Sequence, residues 1–225
     1  YGAFSEVEAA LAFLDTMKAP YVIKTDGLAA GKGVLVTESL EEARQDVRDK
    51  LSGTSFGTAG STIVIEEGLI GTECSLLVLC DGHQAVPLLP ARDFKRVGDG
   101  DTGPNTGGMG AFAPLESMTS SDIDVAMSTI VMPTMRELKR RGIDYRGVLY
   151  AGIMMTAQGP KLLEYNVRFG DPETEVIVPL ISSDFFELLR DVALGAINSK
   201  PMFLSAHAVT VVLAAPGYPN NPTTG

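Results

Sequence analysis

The sequence predicts an α+β fold, in which helices pack against a mixed, mainly antiparallel sheet. Strand-like and helix-like runs are intermixed along the 225 residues, without the strict alternation that a doubly wound parallel sheet requires. The run "TECSLLVLCDGHQAVPLL" has two apolar segments on either side of Asp81-Gly82, a dipeptide typical of hairpin turns. With 45% hydrophobic and 20% charged residues, the composition is that of a globular protein with a sizeable core.

Capping signals predict three of the helices. Each begins with a Ser or Asp followed three residues later by Glu, which is the pattern of a capping box. The pairs are Ser5 and Glu8, Ser39 and Glu42, and Asp184 and Glu187. A longer helix is expected over 121–141, and Pro133 should kink or interrupt it because proline has no amide donor.

Short apolar runs predict the strands. Besides the hairpin, they are "PYVIK", "GVLVTES", "STIVIEEG", "VLYAGIMMT", "KLLEYNVRF" and "AVTVVLAAP". We expect "VLYAGIMMT" and "KLLEYNVRF" to be the central pair of the sheet. The segment Gly98–Ala111 contains six glycines and is expected to be a loop, because neither a helix nor a strand tolerates that density well.

The bulk properties exclude several classes of protein. A formal charge of −10 argues against a nucleic-acid binder, which normally carries a basic field. Cys74 and Cys80 lie six residues apart in one expected strand, about 20 Å from each other, so they are expected to be free thiols. No apolar run approaches the roughly 18 residues of a membrane span, and no signal peptide is visible. We therefore expect a cytoplasmic protein that does not contact membranes.

The stretch "LLEYNVRFGDPETE" carries the most informative polar pattern. In a strand, Glu164, Asn166 and Arg168 share one face, with about 7 Å between successive members of the row. Val167 and the residues two positions before and after it lie on the other face and can enter a core. A carboxylate, an amide oxygen and a guanidinium in one row suit a hard cation and the phosphate oxygens that it neutralises.

Three further stretches are compatible with anion binding but also have simpler interpretations. "KTDGLAAGKGV" places two lysines around a small-residue turn, which is either a phosphate-binding turn or a tight hairpin with solvated lysines. Its spacing is not that of a P-loop, so a P-loop kinase is rejected. "IEEGLIGTE" is either part of a nucleoside site or a solvated turn, and "ARDFKRVGDGDTGPNTGGMG" is either an anion-binding loop or a surface loop.

Taken in order, these stretches resemble the phosphoribosylamine–glycine ligase family of the ATP-grasp superfamily. The resemblance rests on "IKTDGLAAGKGV", "VIEEGLIGTE", "DFKRVGDGDTGPNTGGMGAF" and "LEYNVRFGDPETE", and covers essentially the whole chain. It implies an ATP-grasp fold with a small lid subdomain at 1–67 and a larger catalytic subdomain at 68–225, incomplete at its C-terminal end. The family also has N- and C-terminal domains that are not present here, so we expect a fragment that does not turn over alone.

The resemblance implies an ATP site. Lys24 would contact the α-phosphate, and Lys32 would lie over the phosphates and take part in catalysis. Glu73 would bind the ribose hydroxyls. The hinge that reads adenine would consist of Glu66, Glu67, Gly68 and Leu69.

The resemblance also implies metal and substrate sites. Glu164 and Asn166 would hold Mg²⁺ or Mn²⁺, and Arg168 would contact the transferring phosphoryl group as a catalytic residue. The glycine and amine substrates would be bound by Asp93, Lys95, Asn105, Gly107, Gly108 and Asp171.

The reaction implied is the ATP-dependent joining of glycine to 5-phosphoribosylamine through glycyl phosphate, a step of purine biosynthesis. It needs positioning and charge neutralisation rather than a side-chain nucleophile. Two departures from the family pattern are Arg92, where glutamine is usual, and Gly68, where an aromatic residue is usual. The parent protein could also be one unit of a multifunctional purine-synthesis polypeptide.

Two other functions were weighed. Another ATP-grasp carboxylate–amine ligase would keep Lys24, Glu164 and Asn166 but should lack the "GDTGPNTGGMGA" loop, which is present. A non-catalytic nucleotide-binding module should have lost at least one of the lysine, metal or arginine positions, and none is lost. The ligase interpretation is preferred.

Overall fold

The chain divides into two compact units, Tyr1–Leu69 and Ile70–Gly225. The computed structural model describes residues 1–27, 33–55 and 57–223. Every strand pairing in this described part is antiparallel, and helices accompany the sheets in both units, so the predicted α+β class is confirmed. That these units serve as lid and catalytic subdomain stays a prediction.

The first unit is a four-stranded sheet covered on one face by two helices. The strand order is β1-β4-β2-β3. The strands are β1 (Gly2–Phe4), β2 (Tyr21–Thr25), β3 (Val34–Thr37) and β4 (Ile63–Glu67), and the helices are α1 (Val7–Leu14) and α2 (Leu40–Leu51). Alternate residues of β2 and β4 are buried against Leu14 and Val47 of the helices. Because side chains alternate between faces, the other face of this sheet is separate from that core, and no helix among the described residues of the unit packs on it.

The helix starts of the first unit only partly follow the predicted caps. The Ser39 hydroxyl accepts a hydrogen bond from the Glu42 amide at 3.2 Å, as expected for an N-cap. The Glu42 carboxylate, however, accepts from the Thr37 hydroxyl, so the capping box is not completed. The predicted cap at Ser5 is wrong, since α1 begins at Val7 after Glu6 and has no side-chain cap. Strand β1 pairs with β4 up to Phe4, so the chain needs residues 5 and 6 to leave the sheet.

The second unit is built around a four-stranded sheet of order β12-β11-β5-β6. Its strands are β5 (Thr72–Asp81), β6 (Ala85–Pro87), β11 (Arg146–Thr156) and β12 (Gly159–Asn166). Three shorter strands, β7 (Arg92–Asp93), β10 (Gly110–Ala113) and β13 (Ala208–Val211), form a second sheet of order β13-β10-β7. A hairpin joins β8 (Arg96–Gly98) to β9 (Thr102–Asn105).

Helices cover both faces of the large sheet. They are α3 (Ser120–Ala126), α4 (Met132–Arg140), α5 (Thr174–Ile177) and α6 (Phe185–Leu194), with a π-helical turn at Met127–Val131 and a 3₁₀ turn at Val178–Leu180. Leu77 and Leu79 of β5 lie in the core with α5 and α6, whereas Leu76 and Val78 lie in the core with α3 and α4. Burial on both faces explains why β5 is a continuous apolar run rather than an alternating one.

Several predictions of elements are confirmed. Asp184 caps α6 through a 2.9 Å hydrogen bond from the Glu187 amide. The long helix is interrupted as expected, with Pro133 in the first turn of α4 after the π-helical turn. Cys74 and Cys80 are both buried and free, and burial raises the pKa of each thiol to about 12. Within the described residues, no helix has the length and apolarity needed to cross a membrane.

Two predictions about strands are wrong. The segment Gly98–Ala111 is not a loop throughout, because β9 and the start of β10 fall inside it. Glycine weakens a strand through backbone entropy, but pairing with neighbouring strands outweighs that cost here. Strand β12 is an edge strand, and the central pair is β5 with β11. A hairpin fixes which strands are neighbours but not what pairs with their outer edges.

The cap of α6 gives a direct test of the local energetics. Asp184→Ala should lower the free energy of unfolding by about 1 kcal/mol, because an N-terminal amide loses its acceptor. Asp184→Asn keeps an acceptor and should change it by only a few tenths of a kcal/mol. Ser5→Ala should be near neutral because Ser5 does not cap α1. Urea denaturation of the variants measures all three, and a loss at Ser5 equal to that at Asp184 would contradict the assignment.

Candidate functional site

The helix-free face of the first sheet carries the Lys24 side chain. Register pairs place Lys24 beside Val34 and Val64, and residues paired across strands share one face. The Lys24 ammonium lies 2.6 Å from Oε2 of Glu66. Val34 and Val36 on the edge strand are 40% and 57% exposed. An open apolar surface with a cation at its centre can accept a flat ring and neutralise a phosphate.

The residues expected to form the hinge follow β4 directly. Glu67 is its exposed last residue, and Gly68 and Leu69 are half-buried. A Cβ atom built on Gly68 would lie 2.2 Å from the Pro20 carbonyl oxygen, so this backbone path has no room for a side chain. That contact gives a physical reason for the departure at Gly68. Lys32 lies outside the described residues.

In the second unit, one face of the large sheet collects polar side chains at the end near β12. Gly152 is paired with Ser75 on one side and Glu164 on the other, and Tyr150 is paired with Asn166. Ser75, Tyr150, Glu164 and Asn166 therefore share a face. The Asn166 amide nitrogen lies 3.4 Å from Oε1 of Glu164, so the two expected metal ligands are adjacent.

The polar row ends earlier than the sequence predicts. Strand β12 stops at Asn166, and the next residues turn away from the sheet. Val167, expected to enter the core, is 74% exposed, because the strand ends one residue before it. Arg168 is exposed, and its guanidinium donates to the Phe169 carbonyl at 2.9 Å. A register shift opposite Gly152 and Ile153 also breaks the regular alternation within β12.

Lys95 lies among carboxylates beside this face. Its ammonium contacts Oε1 of Glu73, lies 3.9 Å from Oδ2 of Asp93, and feels the negative charge of Glu164. The pKa of Asp93 is raised to about 6, chiefly because burial disfavours the charged carboxylate; Lys95 opposes this rise, and the charges of Glu173 and Glu73 add to it. Burial would lower the pKa of Lys95, but the charges of Asp93 and Glu73 outweigh it and raise that pKa.

A buried group of three side chains underlies the polar face, and sequence reasoning did not assign it. Oε1 of Glu173 accepts hydrogen bonds from the Tyr150 hydroxyl at 2.8 Å and the Ser75 hydroxyl at 2.9 Å, and those two hydroxyls are 2.8 Å apart. Glu173 is 2% exposed and Ser75 is 1% exposed. The available signal was a single serine inside the apolar run "CSLLVLC", since a buried hydroxyl needs a partner.

The glycine-rich segment is held at two of its residues. The Thr106 amide and hydroxyl both donate to the Lys95 carbonyl, at 2.7 and 2.8 Å. A Cβ atom on Gly108 would lie 2.3 Å from Cδ of Pro172 and 3.1 Å from the Asp171 carbonyl oxygen, so only glycine fits there. The structure thus brings the Lys95 backbone against Thr106 and the Asp171 backbone against Gly108.

The remaining predicted substrate residues lie on the exposed part of this segment. Asn105, at the end of β9, is paired with Arg96 in the hairpin. The Gly107 amide donates to the Tyr218 hydroxyl at 3.2 Å. In the part of the chain that the structure describes, neither residue forms a hydrogen bond or ion pair with Lys95, Glu73 or Asp93.

The unusual Arg92 packs on an aromatic ring. Its guanidinium carbon lies 5.2 Å from the ring centre of Phe94, and that ring is 6.2 Å from the ring of Phe112. Arg92, Phe94 and Arg96 line an open groove of about 550 Å³. Arg92 is therefore held by a cation–π contact.

The donor set suits a magnesium-type ion only in part. Among the described residues, no three His, Cys, Asp or Glu side chains are grouped so as to hold a metal. Glu164 and Asn166 do place a carboxylate and an amide group side by side, and the oxygen atoms of such groups are ligands that Mg²⁺ accepts alongside phosphate oxygens and water. These two residues fit a metal that arrives with a phosphorylated substrate.

The match of residues 1–174 to the family model of an ATP-grasp domain defines the class of protein as ATP-grasp, and solved structures share the fold. A biotin carboxylase from Campylobacter jejuni in complex with a nucleotide analogue matches 92% of this chain and 45% of its own, with a TM-score of 0.67 at 17% identity. At that identity the likeness establishes the fold alone.

The particular family follows from the sequence comparisons. Residues 1–174 match the model of the phosphoribosylglycinamide synthetase ATP-grasp (A) domain, and the chain belongs to that family. Phosphoribosylamine–glycine ligases from Mesorhizobium japonicum and Escherichia coli are 47% and 49% identical over this whole chain and 53% of their own length. The structure of the ligase from Thermotoga maritima matches 99% of this chain and 56% of its own, with 39% identity and a TM-score of 0.89. The chain spans about half the length of the relatives it matches.

The raised pKa of Asp93 predicts a pH-dependent stability. Folded Asp93 has a pKa of about 6 and the unfolded chain one near 4, so the folded state binds more protons between these values. The free energy of unfolding should therefore fall as pH rises from 4 to 6, by on the order of 2 kcal/mol from this group. Asp93→Asn should remove that fall, and the exposed Asp124→Asn should not. Urea denaturation across this pH range measures both, and equal pH profiles for the wild type and Asp93→Asn would contradict it.

The buried hydroxyls should stabilise the unit jointly. Tyr150→Phe and Ser75→Ala should each cost about 1–3 kcal/mol, because each removes a hydrogen bond to the buried Glu173 carboxylate. A double-mutant cycle should give a coupling of at least about 0.5 kcal/mol, since the two hydroxyls share one acceptor. Tyr145→Phe, which loses a bond to the Val148 carbonyl, is the matched control and should be additive with Ser75→Ala. Additivity in both cycles would refute a shared acceptor.

Proposed function

We propose that this chain provides the ATP-grasp part of a ligase that joins glycine to 5-phosphoribosylamine in purine biosynthesis. The observation that carries the proposal is that chains named phosphoribosylamine–glycine ligase match it along its full length at 47–49% identity. The adjacent Glu164 and Asn166, on the same sheet face as the Lys95 cluster, support it from geometry.

In the proposed reaction, an oxygen of the glycine carboxylate attacks the γ-phosphorus of ATP. The bond from that phosphorus to the bridging oxygen breaks, giving glycyl phosphate and ADP. The amine of 5-phosphoribosylamine then attacks the acyl carbon, inorganic phosphate leaves, and the amine gives up a proton. Because each step redistributes charge among phosphate oxygens, the protein's task is to position the reactants and neutralise that charge.

The nucleotide contacts are assigned as the family resemblance implies. Lys24 contacts the α-phosphate, and Lys32 contacts the phosphates during transfer. The backbone of 66–69, comprising Glu66, Glu67, Gly68 and Leu69, reads the adenine edge, and Glu73 binds the ribose hydroxyls. The apolar, helix-free face around Lys24 supports this assignment.

The metal and the substrates are assigned to residues of the second unit. Glu164 and Asn166 would hold Mg²⁺ or Mn²⁺, which when bound neutralises charge on the phosphate oxygens. Arg168 contacts the transferring phosphoryl group, and its exposed position leaves it accessible. Lys95 orients an anionic substrate group, with Asp93 behind it, while Asn105, Gly107, Gly108 and Asp171 border the substrates.

ADP release by the full-length parent protein tests this function. With Mg-ATP, glycine and 5-phosphoribosylamine made in situ, release should require all three, and omission of any one should reduce it to background. ADP release that is indifferent to glycine would refute the assignment and leave an ATP-grasp ligase for another acid.

A variant series tests the residue roles in the same assay. Glu164→Gln should lower kcat by about 100-fold and raise the magnesium concentration needed for half-maximal rate, because a metal-binding carboxylate becomes a neutral amide. The exposed Glu116→Gln is the matched control and should leave both unchanged. Loss of rate in Glu164→Gln without any change in magnesium dependence would contradict a metal-binding role.

A further inference from the structure

Lys95 is held by two carboxylates that differ in their surroundings. Its ammonium contacts Oε1 of Glu73 and lies 3.9 Å from Oδ2 of Asp93. The Glu73 side chain is 34% exposed, whereas that of Asp93 is 4% exposed. An ammonium has three hydrogen-bond donors, so it can face an additional acceptor while it stays beside one of the two acids.

The difference in exposure determines which carboxylate can leave. Glu73 can turn into water at little cost, since partly exposed ion pairs contribute little to stability. Asp93 cannot, because an ionised buried carboxylate without a cation carries a large desolvation penalty. Glu173, buried behind the same face, adds a further negative charge next to Asp93. Asp93 therefore depends on Lys95 more than Glu73 does.

The position of Lys95 along the chain also favours Asp93 as the carboxylate that stays beside it. Asp93 lies in β7, which pairs with β10, and is therefore fixed by a sheet. The Lys95 carbonyl accepts two hydrogen bonds from Thr106, which holds the lysine backbone. The ammonium can thus change partners by side-chain rotation alone, without moving the strand that carries Asp93.

We propose that an incoming oxyanion displaces Glu73 from the Lys95 ammonium, while Asp93 stays beside that ammonium as its positioning residue. Glu73 is then an internal competitor for the site that Lys95 offers to a phosphate or carboxylate group. The inference deepens the proposed function and rests on it in one respect. If the ligand is ATP with an acid substrate, displacement frees Glu73 for the ribose hydroxyls and presents Lys95 to the anion in the same event.

Titration of the 225-residue chain with inorganic phosphate, followed by NMR, tests the exchange without requiring catalysis. The side-chain carboxyl carbon signal of Glu73 should shift as phosphate binds, and that of Asp93 should not. Glu73→Gln should tighten phosphate binding about two- to fivefold, which is the range expected from loss of a half-exposed ion pair. Lys95→Met should abolish the response at Glu73.

Two further variants separate competition from simple charge repulsion. Glu73→Asp keeps the negative charge but shortens the side chain by one methylene, so it should tighten phosphate binding nearly as much as Glu73→Gln. In the Lys95→Met background, Glu73→Gln should have no effect. Exposed Asp124→Asn is the matched control and should behave as the wild type.

The outcomes that overturn the proposal are distinct from those that overturn the ligase assignment. Tightening by Glu73→Gln but not by Glu73→Asp would show repulsion only and would refute the exchange. A shift of the Asp93 carboxyl signal equal to that of Glu73 would refute its role as the fixed partner. Because phosphate binding is measured without ATP or glycine, a failed ligase assay leaves this result standing, and the reverse also holds.

Discussion

The pairing of β5 with β11 is the constraint on which the second unit depends. These strands run antiparallel from the pair Arg146–Asp81 to the pair Met155–Thr72, with apolar cores on both faces. Because side chains alternate between faces, a slip of one residue would move every side chain to the opposite core. The same register places Ser75 and Tyr150 on one face.

At its β12 end, that face carries both buried polar groups that stabilise the fold and carboxylates that ligands can reach. Buried hydroxyls satisfy the Glu173 carboxylate, and Lys95 compensates the buried Asp93. Within the described residues, every buried side-chain nitrogen or oxygen has a hydrogen-bond partner. Near Lys95, the buried carboxylates of Asp93 and Glu173 are thus held in place by their partners. The more exposed carboxylates of Glu73 and Glu164 remain accessible to ligands.

Much of the fold was predictable because its signals are local. The cap at Asp184, the interruption at Pro133 and the hairpin turn at Asp81-Gly82 each depend on a few neighbouring residues. The predictions that were wrong involve long-range pairing. Ser5 has the pattern of a cap, but β1 pairs with β4 and delays the helix. In the glycine-rich segment, the start of β10 is a strand because the distant β13 pairs with it, whereas β9 pairs with the neighbouring β8 in a hairpin.

Short-range patterns in the sequence are enough to specify the class of fold, the family motifs and the alternation that places Glu164 beside Asn166. Which acids surround Lys95, and which of them are buried, depends instead on how distant segments pack together. Glu73, Asp93 and Glu173 lie on separate segments, and their distances are set by sheet packing. The exposure of each carboxylate, and hence its freedom to leave, is a property of that packing and not of its neighbours in the chain, and so is the raised pKa of Asp93.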